Sequence, residues 1–245
     1  MRLGIMQPYF FPYIGYISLI KQTDMFILLD TVQFIRHGWI ERNRMLNPND
    51  EWQYISVPLK KYHQKDRIQN VYINNDLKWK EKILAQLGHY KKTPYYDKVM
   101  DILQQVFAEK YDDIVTLNKV CLEKVCEYLQ IPCEIKVFSK MDLIIEDAKK
   151  PDEWALNICK AIPFVTEYWN PPGGMSFFDP AKYEKEKIEL KFLRMNLNSY
   201  SQRRGNQSFV SGLSVLDVMM FNSIEEIHHM LDDYELLCVK ENHML

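Results

Sequence analysis

The chain has 245 residues, enough for a sizeable core, and is 47% hydrophobic and 26% charged, as in an ordinary soluble globular protein. Its formal net charge of −2 gives no long-range pull toward DNA, RNA or an anionic membrane, which argues against a dedicated nucleic-acid binder. Cys121, Cys126, Cys133, Cys159 and Cys238 are scattered without CxxC or Cys/His spacing, so neither a disulfide framework nor a metal site is expected. No run approaches the ~20 apolar residues of a membrane span. Gln7, Pro8 and Pro12 interrupt any signal-like segment, so a cytoplasmic location is expected.

"RLGIM" (2–6) is a short apolar run suited to a buried strand. Pro8 and Pro12 fix φ and cannot donate to a ladder, so the strand should end near Gln7. "GYISLIKQTD" then reads as a helix through Ile17, Leu19 and Ile20, with Gly15 permitting close approach at its start. "MFILLD" (25–30) is a second buried strand ending in a carboxylate. Strand, aromatic loop, helix and strand make one βαβ unit that brings Gln7 and Asp30 to the same sheet edge. Ligands of open α/β sheets bind at that edge.

"TVQFIRHGWIERNRML" (31–46) follows directly and concentrates Gln33, Arg36, His37, Trp39, Arg42, Asn43 and Arg44. The arginines are rigid multidentate donors for phosphate or carboxylate, and Trp39 offers a flat face for a base or a sugar. A solvated helix face accounts for the arginines alone, but less well for Gln, His, Trp and Asn just past a strand end. "EWQYISVPLKK" (51–61) reads as a third strand closed by Pro58, which would put Lys60 near an anionic ligand.

The middle of the chain, about 77–130, reads as a helical excursion broken at Gly88 and at Thr93-Pro94, with a further helix stopped by Pro132. "CEIKVF" supplies another strand, and "EDAKKPDEW" a surface turn into a helix. In "WNPPGG" (169–174), Pro171 and Pro172 stiffen the chain while Gly173 and Gly174 permit close ligand approach. "LNSYSQRRGNQSFVSGLSVLDVMMFN" (197–222) places Tyr200, Gln202, Arg203 and Arg204 ahead of a helix that Ser211, Gly212 or Ser214 could cap. A helix N-terminus accepts an anion, so Ser214 is a candidate contact; Asp217 in the first turn equally suits the helix dipole. His228 and His229 are adjacent, face different directions and do not make a metal pair. The predicted fold is α/β, a parallel-sheet Rossmann-like core in a single domain over 1–245.

"MQPYFFPYIGY", the Asp-x-Val-Gln-Phe run (30–34) leading to Trp39, "RNR" and "VPLKK" resemble the N-terminal signature of WbqC-like proteins. "CEYLQIPCEI", "YWNPPGGMSFFDPAKYEKEKIELKFL" and "YSQ…FVSGLSVLDVMMFN" resemble its downstream motifs in order, so the likeness covers most of the chain. Ser223 and Ile224 depart from it, following Asn222 where a glycine often ends the motif. The family often lies among bacterial polysaccharide and O-antigen (lipopolysaccharide) genes, which implies an enzyme acting on a nucleotide-linked sugar. More distantly, "PYIGY" resembles the HxGH region of nucleotidyltransferase-like α/β enzymes, pantoate–β-alanine ligase among them, with Tyr13 and Tyr16 at the histidine positions. Tyrosine donates one hydrogen bond and stacks, but supplies no cationic imidazole.

The expected function is acyl or aminoacyl transfer onto the amine of a nucleotide-linked amino sugar, with an acyl or amino-acid donor. ATP with magnesium enters if the step is an amide ligation. Asp30 and His37 are the candidate proton acceptors. The sequence shows no Ser/His/Asp or Cys/His nucleophilic set, which favours direct attack by the substrate amine. Nucleotidyl transfer to a small phosphorylated substrate and non-catalytic sugar-nucleotide binding are the alternatives.

Overall fold

The structure, a computed structural model, describes residues 1–202 and 208–238. Arg203 and Arg204 lie outside the described residues. The chain opens as expected: strand β1 (Arg2–Met6), helix α1 (Ile14–Gln22) and strand β2 (Met25–Leu28). β1 and β2 pair in parallel, with Leu3 beside Met25 and Met6 beside Leu28. The turn from α1 into β2 is fixed by Thr23, whose hydroxyl donates to the Leu19 carbonyl at 2.8 Å.

The next segment corrects the sequence reading. Residues 51–58 do not join the main sheet; β4 (Asp50–Ser56) pairs antiparallel with β3 (Arg42–Asn47), a separate hairpin. The physical reason is local: the turn at Asn47-Pro48-Asn49 folds β4 back onto the strand just before it, which closes a hairpin. Arg42, Asn43 and Arg44 therefore stand on a strand, with Asn43 and Met45 buried and the arginines on the other face.

Helices α2 (Trp79–Gln86), α3 (Tyr96–Ala108) and α4 (Ile114–Tyr128) follow, separated at Gly88–Lys92 and at Pro94 as the sequence predicts. Asp113 caps α4 by accepting the Thr116 N–H at 2.7 Å. Then come β5 (Ile135–Val137), α5 (Glu153–Ala161), β6 (Glu167–Asn170), α6 (Pro180–Lys185) and β7 (Glu189–Met195). Helices α7 (Val215–Phe221) and α8 (Ile224–Asp232) lead to β8 (Tyr234–Leu237). Ser223 caps α8 in a reciprocal box with Glu226, so the turn after Asn222 is held by side chains.

The fold is α/β, with a six-stranded sheet in the order β5-β2-β1-β6-β7-β8, parallel except for the β7–β8 pair. Strand alternation sorts the core into two layers. Leu3, Ile5, Ile27, Tyr168 and Phe192 face α5 and α6, while Phe26, Leu28, Trp169 and Leu193 face the layer that holds α1, α4, α7 and α8. This sorting creates a topological switch. Adjacent strands β1 and β6 send their following helices to opposite layers, so a crevice opens between their carboxyl ends. Among the described residues, no helix is long and apolar enough to cross a membrane.

Candidate functional site

A cleft of about 1100 Å³ occupies that switch point. Its floor is Ile5 and Met6 at the end of β1, Gln7 just after it, Leu29 after β2, and Tyr168 and Asn170 in β6. One wall comes from the α1 layer: Tyr9, Pro12, Tyr13, Gln33, Trp39, Asn43 and Arg44. The opposite wall comes from the α5 layer: Lys149, Lys150, Trp154, Gly173, Gly174 and Phe177.

The first wall is built by a loop in which the carbonyls of Gln7, Pro8, Phe10, Phe11 and Pro12 each have a partner. The Gln7 carbonyl accepts the Tyr16 hydroxyl at 2.8 Å, and the Pro8 carbonyl accepts Asn118 Nδ2 at 2.8 Å. Asn43 Nδ2 holds the Phe10 carbonyl at 3.1 Å, and Ser214 Oγ holds that of Phe11 at 2.7 Å. The Val215 N–H takes the Pro12 carbonyl at 2.7 Å, and Phe10 N–H reaches Trp39 O at 2.9 Å. Phe11 sits at φ 38°, unusual for a bulky residue and sustained by this bonding and by complete burial. The opening aromatic segment is thus a stiff shelf, and it carries Tyr9 and Tyr13 into the cleft. Burial raises both phenols, with the charge on Tyr13 adding to the rise at Tyr9. Both stay protonated hydrogen-bond donors at neutral pH.

Gly15 has a different reason from the one its sequence context suggested. A Cβ there would lie 2.5–2.6 Å from the outer end of the Tyr13 ring. The glycine makes room for Tyr13, and Tyr13 faces the ligand space. Tyr16, at the other HxGH-like position, is fully buried with its hydroxyl on Gln7. Ser214 caps α7 through the Leu216 N–H and anchors the shelf.

Arg44 is the cation of this wall. Its Nη2 donates to the Gly212 carbonyl at 3.0 Å, and the guanidinium lies 5.5 Å from the ring centres of both Trp39 and Trp52. Its Nε is buried without a hydrogen-bond partner, and among the described residues no carboxylate pairs with it. Arg42 instead donates to the His37 carbonyl at 2.5 Å and lies over Tyr54, away from the cleft.

The remaining expected residues fall into two groups. Gln7, Tyr13, Gln33, Trp39, Asn43, Gly173 and Gly174 line the cleft. Asp30, Gly15, Tyr16, Arg36, His37, Arg42, Lys60, Tyr200, Gln202 and Ser214 do not. Asp30 is 1% exposed, and its carboxylate receives the Ser139 N–H at 3.0 Å and the Ser139 hydroxyl at 2.5 Å, which ties β2 to the end of β5. His37 sits in an exposed turn at φ 61°, its N–H on Glu41 at 2.7 Å, and Arg36 beside it is exposed too. Lys60 is exposed on the chain beyond the hairpin. Tyr200 and Gln202 donate to buried Asp217, which Tyr90 also bonds at 2.5 Å; Gln202 further clamps Val210 at 2.9 Å. Tyr200 borders a small separate cavity of about 20 Å³.

Of the second wall, sequence reasoning named Gly173 and Gly174 but missed Lys149, Lys150 and Trp154. Lys149 and Lys150 are exposed, with their backbone N–H groups on Glu153 at 2.8 and 3.2 Å. Hydrogen bonds from Lys182 and from these amides pull the Glu153 carboxyl down to about 2. Trp154 follows on α5, packed on the Phe138 ring. "KKPDEW" carried the signal, a lysine pair and a tryptophan around a helix start, but nothing local tells that α5 flanks β1. Among the described wall residues there is no Asp, Glu, His, Cys, Ser or Thr.

The sequence profile of the WbqC-like protein family matches residues 7–229. The chain is 26% identical over 226 residues to the uncharacterized protein Rv1507c of Mycobacterium tuberculosis, covering 90% of this chain and 93% of that one. No solved structure matches it. A cleft at the β1–β6 switch point, lined by segments from both ends of the matched region, is therefore the candidate site of a chain that belongs to the WbqC-like protein family.

Proposed function

We propose that the cleft binds a nucleotide-linked amino sugar, and that the protein transfers an acyl or aminoacyl group onto the sugar's amine during surface-polysaccharide assembly. The observation that carries the reading is the charge of the wall. Arg44, Lys149 and Lys150 meet no carboxylate along the described lining, while Gln7, Gln33, Asn170 and the aromatic rings supply sugar- and base-type contacts. A diphosphate suits such a surface. The volume, about 1100 Å³, leaves room for a second substrate beside the first. The resemblance to proteins encoded among polysaccharide genes supports the choice of ligand class.

In the transfer, the amine nitrogen attacks the acyl carbon, the carbon–nitrogen bond forms, and the bond to the leaving group breaks. The leaving group takes the electron pair, and the nitrogen's proton passes to it or to water. The described wall offers no Cys, Ser, Thr or His to carry a covalent intermediate, which supports direct attack. It also offers no carboxylate, so its donor set does not fit a protein-held magnesium ion. Nucleotidyl transfer finds less support, since only Tyr13 of the Tyr13/Tyr16 pair faces the cleft.

Thermal-shift and calorimetric titration with UDP-sugars, UDP and the free sugars test the ligand class, because a bound ligand stabilises by mass action. Nucleotide sugars and UDP are expected to bind and the free sugars not. Equal response to all of them would overturn the reading. Mass spectrometry of an amino-sugar nucleotide incubated with acyl thioesters, or with amino acids and ATP, tests the transfer. The described wall's lack of a carboxylate or histidine base favours a second reading, a non-catalytic sugar-nucleotide carrier. Tight binding with no product from any donor class would select it.

A further inference from the structure

Resting on that reading, we infer that the cleft holds two anion subsites on opposite walls: Lys149 and Lys150 take the diphosphate, and Arg44 takes the carboxylate of the second substrate. The two cationic groups reach the cleft from different layers of the sheet, Arg44 on the hairpin of the α1 layer and the lysines ahead of α5.

They also differ in chemistry. Lys149 and Lys150 are adjacent, exposed point charges beside half-buried Trp154 and 50%-exposed Phe177. Flexible ammonium groups follow the several oxygens of a diphosphate, and the rings offer faces for its base. Arg44 is single, planar and already oriented by the Gly212 carbonyl and the Trp39 and Trp52 rings. Among the described residues it has no carboxylate partner. Its Nη2 takes the Gly212 carbonyl as acceptor while the side chain lines the cleft, so a planar two-oxygen anion is the complement of the guanidinium edge. A carboxylate presents two coplanar oxygens to that edge; it carries one charge, matched by one fixed cation.

The test uses UDP for the first subsite and benzoate for the second, with benzamide as the uncharged control. Calorimetry follows UDP and saturation-transfer NMR follows the benzoates. In Lys149→Gln/Lys150→Gln, UDP affinity is expected to fall by about tenfold or more, the scale of a lost charge-assisted contact, with benzoate binding kept. In Arg44→Lys, which keeps the charge but loses the planar fork, benzoate binding is expected to fall about tenfold and UDP to change by less than about threefold. The wild-type protein gives an independent measure that needs no variant to fold: UDP and benzoate should bind together. Competition between them, or UDP binding that depends on Arg44 and not on the lysines, overturns the two-subsite assignment and leaves the ligand class standing. Failure of UDP to bind the wild-type protein overturns both.

Discussion

The two walls of the cleft are built by opposite means. On the α1 side the carbonyls of Gln7, Pro8, Phe10, Phe11 and Pro12 are each held by a side chain or amide, and the guanidinium of Arg44 is fixed by a carbonyl and two indoles. On the α5 side the lysines are exposed, and the next segment turns through Pro171–Gly174. The first wall has its geometry before a ligand arrives; the second can adjust to one. A stiff wall suits the group that must be oriented, an adaptable wall the group that must be admitted.

If the first wall is stiff because of its buried bonds, removing one shared partner should damage it most. Asn118 Nδ2 donates to the Pro8 carbonyl at 2.8 Å and the Ile40 carbonyl at 2.9 Å, joining the shelf to the segment that carries Trp39. Asn118→Ala leaves both carbonyls buried and unpaired, a loss of about 2–5 kcal/mol. Urea denaturation measures it. A loss under about 1 kcal/mol would mean the shelf is held by packing rather than by these bonds.

On the second wall, neighbouring glycines separate adaptability from packing. A Cβ on Gly173 meets nothing within 4 Å, whereas one on Gly174 falls 2.8 Å from Phe178 Cε2 and 3.0 Å from Asn170 Oδ1. Gly174→Ala is expected to destabilise by about 1–3 kcal/mol through overpacking. Gly173→Ala should stay within about 0.5 kcal/mol of wild type. Equal effects in thermal melts would contradict this difference between the two positions.

Gly15 tests the stiff wall more finely. Alanine in a helix gains up to about 1 kcal/mol over glycine, but here its Cβ collides with the Tyr13 ring. Gly15→Ala should therefore give no stabilisation in the wild-type background and up to about 1 kcal/mol in Tyr13→Ala. Ligand affinity should drop in both, since Tyr13 is displaced in one and absent in the other. The same gain in both backgrounds would show that Tyr13 does not rest on Gly15.

How far the sequence announced these walls follows from where each signal lay. The β1–α1–β2 unit was legible because prolines and apolar runs mark its boundaries locally, and the helix breaks at Gly88 and Pro94 likewise. β3 was not, because the polar run Arg42, Asn43 and Arg44 hides an alternation in which Asn43 and Met45 are buried and the arginines partly exposed. The Asn-Pro-Asn turn at 47–49 between two alternating runs was the available sign of a hairpin. Aromatic and amide residues of the first wall could be named because the sheet edge follows from βαβ geometry. Asp30 stood at the right strand end, yet burial and Ser139 engage its carboxylate, a partner more than a hundred positions away. The lysine wall depended on α5 crossing to the other layer, which is a property of the whole topology.

The smallest expected effect concerns what keeps the second wall's lysines in place. Glu153 accepts the backbone N–H groups of Lys149 and Lys150 and pairs with Lys182 at 2.8 Å. Its pKa falls from 4.5 to about 2, with the Lys182 hydrogen bond as the largest cause. A carboxyl lowered on folding contributes stability that is present above its unfolded pKa and lost as pH falls through the folded one. The window is therefore about 4.5 down to about 2. The Glu153 side chain is partly exposed and screened by water, so the global stability change is slight, but the local one is readable. Amide resonances of Lys149 and Lys150 should titrate with a midpoint near 2, and Glu153→Gln should abolish that titration while leaving the Asn43 and Arg44 amides on the stiff wall unmoved. A midpoint near 4.5 would mean the carboxylate does not hold the lysine turn, and the second wall would then owe its position to Trp154 alone.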